Sequence, residues 1–154
     1  MMNSFVSSSF VKPTIKLARW ISNIAGNRLI VEVGCGNGEL LHKLAKVHNK
    51  VLGCDPHSSL KKYYSGFMPL YADQLSIIKR QESLIVAARP DHSGWVSEIP
   101  TYMYSDSQLL YLGLENNIKI DWPNIDDIKY TIVEPPNGCD IDIAMVIEHH
   151  SKLP

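Results

Sequence analysis

With 154 residues, 45% of them apolar, the chain is long enough for a packed core and too apolar to be an intrinsically disordered segment. A formal net charge of −1 speaks against an extended nucleic-acid-binding surface, though not against a local basic patch. Cys35, Cys54 and Cys139 are too scattered for a disulfide framework or a zinc-ligand spacing, so no metal is expected and a reducing, cytoplasmic setting is the natural reading.

Residues 1–11 are expected to form a flexible N-terminus, without the basic and then apolar run of a signal peptide. Pro13 is placed to open a helix, in which Ile15, Leu17, Trp20, Ile21 and Ile24 recur at helical spacing and which Gly26 can stop. Arg28 to Val33 reads as a buried first strand. Glu39 to His48 then sets Leu40, Leu41, Leu44, Ala45 and His48 on one side of a second helix. Lys50 to Cys54 is a second strand ending at Asp55-Pro56, Ser59 to Tyr64 a short helix, and Met68 to Ala72 a third strand. Leu84 to Ala88 is a buried strand broken by Arg89-Pro90, followed by a brief helical turn at Trp95 to Ile99. Leu109 to Leu114, Tyr130 to Val133 and Ile141 to Ile147 complete the strands. Pro135-Pro136-Asn137-Gly138 suggests an antiparallel hairpin between the last two. No apolar run approaches the ~20 residues of a membrane span. The whole is expected to be one α/β domain over 1–154: an open, mostly parallel twisted sheet with helices on both faces and a C-terminal antiparallel hairpin.

Chemistry concentrates where the first strand meets the second helix. The run Leu29-Ile-Val-Glu-Val-Gly-Cys-Gly-Asn-Gly-Glu-Leu40 takes an apolar strand directly into Gly34, Gly36 and Gly38. Glycine at alternate positions lets the backbone turn sharply and approach a ligand closely, at the carboxyl end of a parallel strand where nucleotide-like ligands are received. The spacing is G-x-G-x-G, with Glu39 near the place of the third glycine of a dinucleotide fingerprint. Glu32-Val-Gly-Cys-Gly-Asn-Gly38 resembles the first motif of class I (Rossmann-like) S-adenosylmethionine-dependent methyltransferases. The resemblance implies a loop, Gly34, Cys35, Gly36 and Gly38, wrapped around the methionine half of the cofactor. It also implies that Glu32 is aimed at the amino group, and a last strand inserted antiparallel into the sheet.

Asp55 ends the second strand about 20 residues after Gly34, where an acidic residue of a nucleotide-binding sheet accepts ribose hydroxyls. The plainer reading is an Asp-Pro turn. Asp73 follows the third strand. The resemblance places an acidic or polar residue there to meet the adenine amino group, while a helix cap before Gln74 explains it equally well. After the fourth strand, related amino-methylating enzymes carry an Asn/Asp-Pro-Pro-aromatic motif. This chain has Arg89-Pro90-Asp91-His92 instead, which lowers the odds of those substrates. Asp91 and His92 can serve as a base or orient an acceptor; equally, Asp91 or Ser93 can cap a short helix. Tyr63, Tyr64, Trp95, Tyr102 and Tyr104 are candidates to line an acceptor pocket, though such residues are more often packing groups. His149 and His150 are expected to be exposed and not metal-bound.

Three functions follow. The leading one is an S-adenosylmethionine-dependent methyltransferase with an unidentified acceptor. The second is a non-catalytic cofactor-binding or partner-binding module of the same fold, favoured by the short stretch from Asp55 to Leu84. The third is a dinucleotide-binding oxidoreductase domain, disfavoured by Glu39.

Overall fold

The computed structural model describes residues 11–36, 38–55, 70–71, 82–88, 94–104, 106–113, 122 and 128–149. Its strands are β1 (Leu29–Val33), β2 (Val51–Asp55), β3 (Leu70–Tyr71), β4 (Ser83–Ala88), β5 (Gln108–Gly113), β6 (Ile128–Val133) and β7 (Ile143–His149). Its helices are α1 (Ile15–Ala25), α2 (Glu39–Val47) and α3 (Gly94–Tyr102). The sheet has seven strands in the order β3-β2-β1-β4-β5-β7-β6. The first five in that order pair in parallel. β7 runs antiparallel between β5 and β6, with Tyr111 opposite Met145 and Thr131 opposite Val146.

Strand alternation divides the core between the two faces. Ile30, Leu84, Val86, Leu110, Leu112, Ala144 and Val146 face α1 and α2, which contribute Leu17, Ala18, Ile21, Leu40, Leu41 and Leu44. Val31, Val33, Cys54, Ile85, Ala87, Leu109 and Ile147 face α3 through Val96 and Ile99, with Met103 just beyond it. Helices on both faces explain why β4 and β5 read as apolar runs after their first residues and why β1 is apolar apart from Glu32. The expected α/β sheet with its antiparallel close is therefore the observed one.

Local differences have identifiable causes. α1 is opened by Thr14, whose side chain accepts from the Leu17 amide at 3.0 Å, so Pro13 lies outside the helix. Val11 is buried and the Lys12 amide donates to the Cys139 carbonyl at 3.0 Å, so residue 11 belongs to the packed structure. Ala45 is exposed, leaving Leu40, Leu41 and Leu44 as the packing stripe of α2. The helical turn foreseen at Trp95 to Ile99 is a full helix through Pro100, because Val96, Ile99, Pro100 and Met103 make one buried stripe that outweighs a lost backbone donor. β7 starts two residues later than expected. The connection continues past Gly138 (φ 81°) through Asp140 (φ 58°), and the Asp142 amide is held by the Gly113 carbonyl. His149 is half-buried rather than exposed, with Nε2 donating to the Met103 carbonyl at 3.3 Å.

The amino edge of the sheet is locked by two polar clamps. His48 is buried; its Nε2 donates to the Arg28 carbonyl at 2.7 Å, and its Nδ1 meets the Ser22 hydroxyl at 2.8 Å. The ring thus ties α1, the start of β1 and the end of α2 together. Arg28 donates to Gln108 at 2.7 Å, and Gln108 donates to Glu148 at 2.8 Å, linking that corner to β5 and β7. His48→Ala leaves a carbonyl and a hydroxyl without partners, and is expected to cost about 2–3 kcal/mol of stability in urea unfolding. A loss below about 0.5 kcal/mol would show that the clamp is ornamental.

Candidate functional site

The carboxyl edge carries the glycine loop. Gly34 (φ 70°), Gly36 (φ 59°) and Gly38 (φ 90°) all take a backbone conformation that side chains disfavour, and this folds β1 into α2 within a few residues. The loop is laid across the end of β2. The amides of Gly34 and Cys35 both donate to the Cys54 carbonyl, at 2.8 and 3.1 Å, and the Gly36 amide donates to Oδ2 of Asp55 at 3.1 Å. The Gly38 amide returns to the Cys35 carbonyl at 3.1 Å, and Gly38 itself caps α2 in the left-handed conformation. The amides of Gly34, Cys35, Gly36 and Gly38 are thus held by neighbouring groups.

Beneath the loop sit two buried carboxylates, Glu32 on β1 and Asp55 at the end of β2, only 5% and 6% exposed. Register places Glu32 opposite Gly53, so Glu32 and Asp55 point to the same face. Oε1 of Glu32 is fully buried without a hydrogen-bond partner among the described residues. Burial, and then the neighbouring Asp55, holds the Glu32 carboxyl well above the usual carboxylate range. Burial, with Glu32 and Asp55 adding to it, also pushes the Cys35 thiol up, so Cys35 stays protonated and serves the loop as packing rather than as a nucleophile. A buried acidic pair with an unsatisfied oxygen is chemically suited to a cationic donor group, such as an ammonium. It is poorly suited to a phosphate.

Gly53 is a site residue that the strand pattern hid. A Cβ there would collide with the Leu41 side chain of α2 and crowd the Cys35 sulfur. A glycine inside a strand signals such an approach, but its partner is visible only once α2 lies on the sheet. The structure thus brings Glu32, Gly34, Cys35, Gly36, Gly38 and Asp55 together. Asp73, Asp91, His92, His150, Tyr63, Tyr64 and the Ser59–Tyr64 helix lie outside the described residues, as does the side chain of Trp95. Tyr102 and Tyr104 are 42% and 41% exposed at the C-terminal end of α3, which leads into the amino end of β5. They are therefore at the edge opposite the loop and line no pocket beside it. Among the described residues no group of three His, Cys, Asp or Glu side chains could hold a metal ion, and no helix is long and apolar enough to cross a membrane.

Strand order, antiparallel insertion and glycine loop together define the Rossmann-like fold of class I methyltransferases. Comparison with solved structures finds methyltransferases, of which the first below carries the likeness of fold. One is a candidate type II methyltransferase from Anaeromyxobacter dehalogenans, at TM-score 0.52 and 17% identity over 70% of this chain and 51% of that one. A candidate methyltransferase from Streptococcus mutans, solved in complex with SAH, gives TM-score 0.48 and 12% identity over 86% and 93% of the two chains. An rRNA methylase from Streptococcus thermophilus gives 0.49 and 11% over 94% and 100%. The chain spans about half the length of the Anaeromyxobacter protein. At these identities the likeness is one of fold. No protein-family model matches the chain, and no curated protein does.

Proposed function

We propose that this chain binds S-adenosylmethionine at the glycine loop and transfers its methyl group to an acceptor. The observation that carries this reading is the buried Glu32 oxygen, which has no hydrogen-bond partner among the described residues, beside Asp55 at the base of the loop. The ligand that such a site favours brings a cation, not an anion. A dinucleotide pyrophosphate would need free loop amides and would meet two carboxylates instead of a positive end. That argues for the sulfonium cofactor over a nicotinamide one.

The roles of the chain's own atoms follow. Glu32 would hold the ammonium of the methionine moiety. Asp55, at the carboxyl end of β2 and bonded to the Gly36 amide of the loop, would accept the ribose hydroxyls. Gly34, Gly36 and Gly38 keep side-chain atoms out of the cofactor's path, Cys35 packs the loop down, and Asp73 would meet the adenine amino group. Asp91 and His92, after β4, would orient the acceptor or take its proton. When bound, the cofactor supplies an activated methyl group on a positively charged sulfur. The protein's task is then to align an acceptor lone pair with it and exclude bulk water.

Calorimetric titration with S-adenosylmethionine, its demethylated product and NADH tests the reading. Binding of the first two without NADH is expected; NADH alone would sink it. Asp55→Ala should weaken the cofactor about tenfold or more, through loss of the hydroxyl contacts and of the loop's anchor. Unaltered affinity would remove Asp55 from the site. Incubation of cell extract with methyl-labelled cofactor then asks for transfer. Cofactor binding without any labelled acceptor would point to a binding module.

A further inference from the structure

The net charge of −1 conceals a strong asymmetry. Residues 1–50 carry seven of the fifteen Lys and Arg but only Glu32 and Glu39 of the sixteen Asp and Glu, and the rest of the chain has the opposite excess. The fold turns this into one surface. Lys12, Lys16 and Arg19 follow each other at helical spacing along the outward side of α1 and the residues leading into it, all exposed and opposite the buried Leu17, Ala18 and Ile21. Lys46 on α2 and Lys50 after it are exposed on the neighbouring helix, and Lys43 is half-exposed. Both helices run from the carboxyl edge to the amino edge on the same face of the sheet, with axes of packed helices about 8–10 Å apart, so the α1 row near the start of its helix and the α2 row near the end of its helix share one face.

We infer that this α1–α2 face docks the phosphate backbone of a nucleic acid, which would carry the methyl acceptor; the second clause rests on the cofactor reading above. Three observations favour this partner. The basic row begins at the functional edge: the Lys12 amide and Lys16 Nζ are bonded to the β6–β7 connection, at the Cys139 and Asn137 carbonyls. A polymer lying along α1 therefore reaches the edge that holds the glycine loop. The face also carries no exposed large hydrophobic side chain among the described residues. Among the described residues the exposed large hydrophobic side chains are Tyr102, Tyr104, Tyr130 and Ile132, none of them on α1 or α2. A bilayer or a protein hot spot would call for one. Finally, the field is felt locally: desolvation, and then Lys46 and Lys43, hold the His42 imidazole below its ordinary value. The acidic remainder of the molecule would repel a polyanion and so orient it onto this face.

The test is fluorescence anisotropy of the full chain with a labelled single-stranded RNA of about 20 nucleotides and mixed sequence, between about 50 and 200 mM NaCl. Binding is expected, weakening with salt at a log–log slope of about −3 to −4. The variant K16E/R19E/K46E should bind at least about tenfold more weakly with a flatter slope, while K129E, on exposed β6, binds as the parent does. The milder K16Q/R19Q/K46Q replaces the reversal variant should that one unfold. Absence of RNA binding at low salt, equal binding by the basic-face variants, or binding of phosphatidylserine vesicles in place of RNA overturns the inference. Calorimetry with S-adenosylmethionine on the same variants separates the two readings. Unchanged cofactor binding with lost RNA binding supports the docking face. RNA binding that is lost in the basic-face variants of a parent that binds no cofactor leaves the face intact and removes the acceptor clause.

Discussion

Gly36→Val is expected to lower affinity for S-adenosylmethionine by at least about 100-fold, beyond the reach of ordinary calorimetry. Gly36 sits at φ 59°, where a β-branched residue is strained, and its amide is the one that Asp55 holds. Valine must therefore either distort the loop, releasing Asp55, or project two methyl groups into the ligand's path. The backbone strain is about 1–2 kcal/mol, enough to lower the melting temperature by several degrees but not to unfold the sheet. Thermal unfolding of the same sample distinguishes a lost site from a lost fold. A folded variant that binds the cofactor like the parent would rule the loop out as the binding site.

Glu32→Gln should separate binding from stability, moving them in opposite directions. The amide removes a buried group whose ionisation is penalised by burial and by Asp55, so the ligand-free protein is expected to gain about 1–3 kcal/mol at neutral pH. Cofactor affinity should fall about 10- to 100-fold, because glutamine offers an ammonium no charge. The pH dependence has a definite sign. The folded carboxyl titrates well above the ordinary value of 4.5, so the parent is relatively more stable below that value. It then loses stability as pH rises from 4.5 through the raised folded value, and the variant does not. The gap between the two in urea unfolding must therefore widen with pH across that window. A constant gap, or a variant less stable than the parent at neutral pH, contradicts the buried acidic pair.

The loop was readable from the chain because its meaning is local. Three glycines after an apolar strand announce positive φ, and all three adopt it. β1, β4 and β5 were readable for a similar reason: strands covered on both faces are mostly apolar, with Glu32 the exception inside β1. The acidic pair was legible only in part. Glu32 and Asp55 each stood out, but their contact follows from the β1–β2 register, which pairs Glu32 with Gly53. α3 runs beyond the expected turn at Trp95 to Ile99 because Val96, Ile99, Pro100 and Met103 form one buried stripe, which becomes visible only once the helix lies on the sheet. The start of β7 was displaced because a non-glycine residue at positive φ, Asp140, lengthens the connection, and no pattern of residue types announces that. The charged face escaped the bulk count for a simpler reason: a sum over the chain cancels what the fold keeps apart.

The late arrival of β7 has a consequence for biosynthesis. Among the described strands it comes latest in the chain, yet it occupies an interior place between β5 and β6, supplying the antiparallel partner of each. Until those residues leave the ribosome, β5 presents an open flank of Leu109, Leu110 and Leu112 to the cell. Closure of the sheet therefore waits for residues Ile143–His149, and a chain stalled short of Ile143 leaves that flank of β5 without its partner strand.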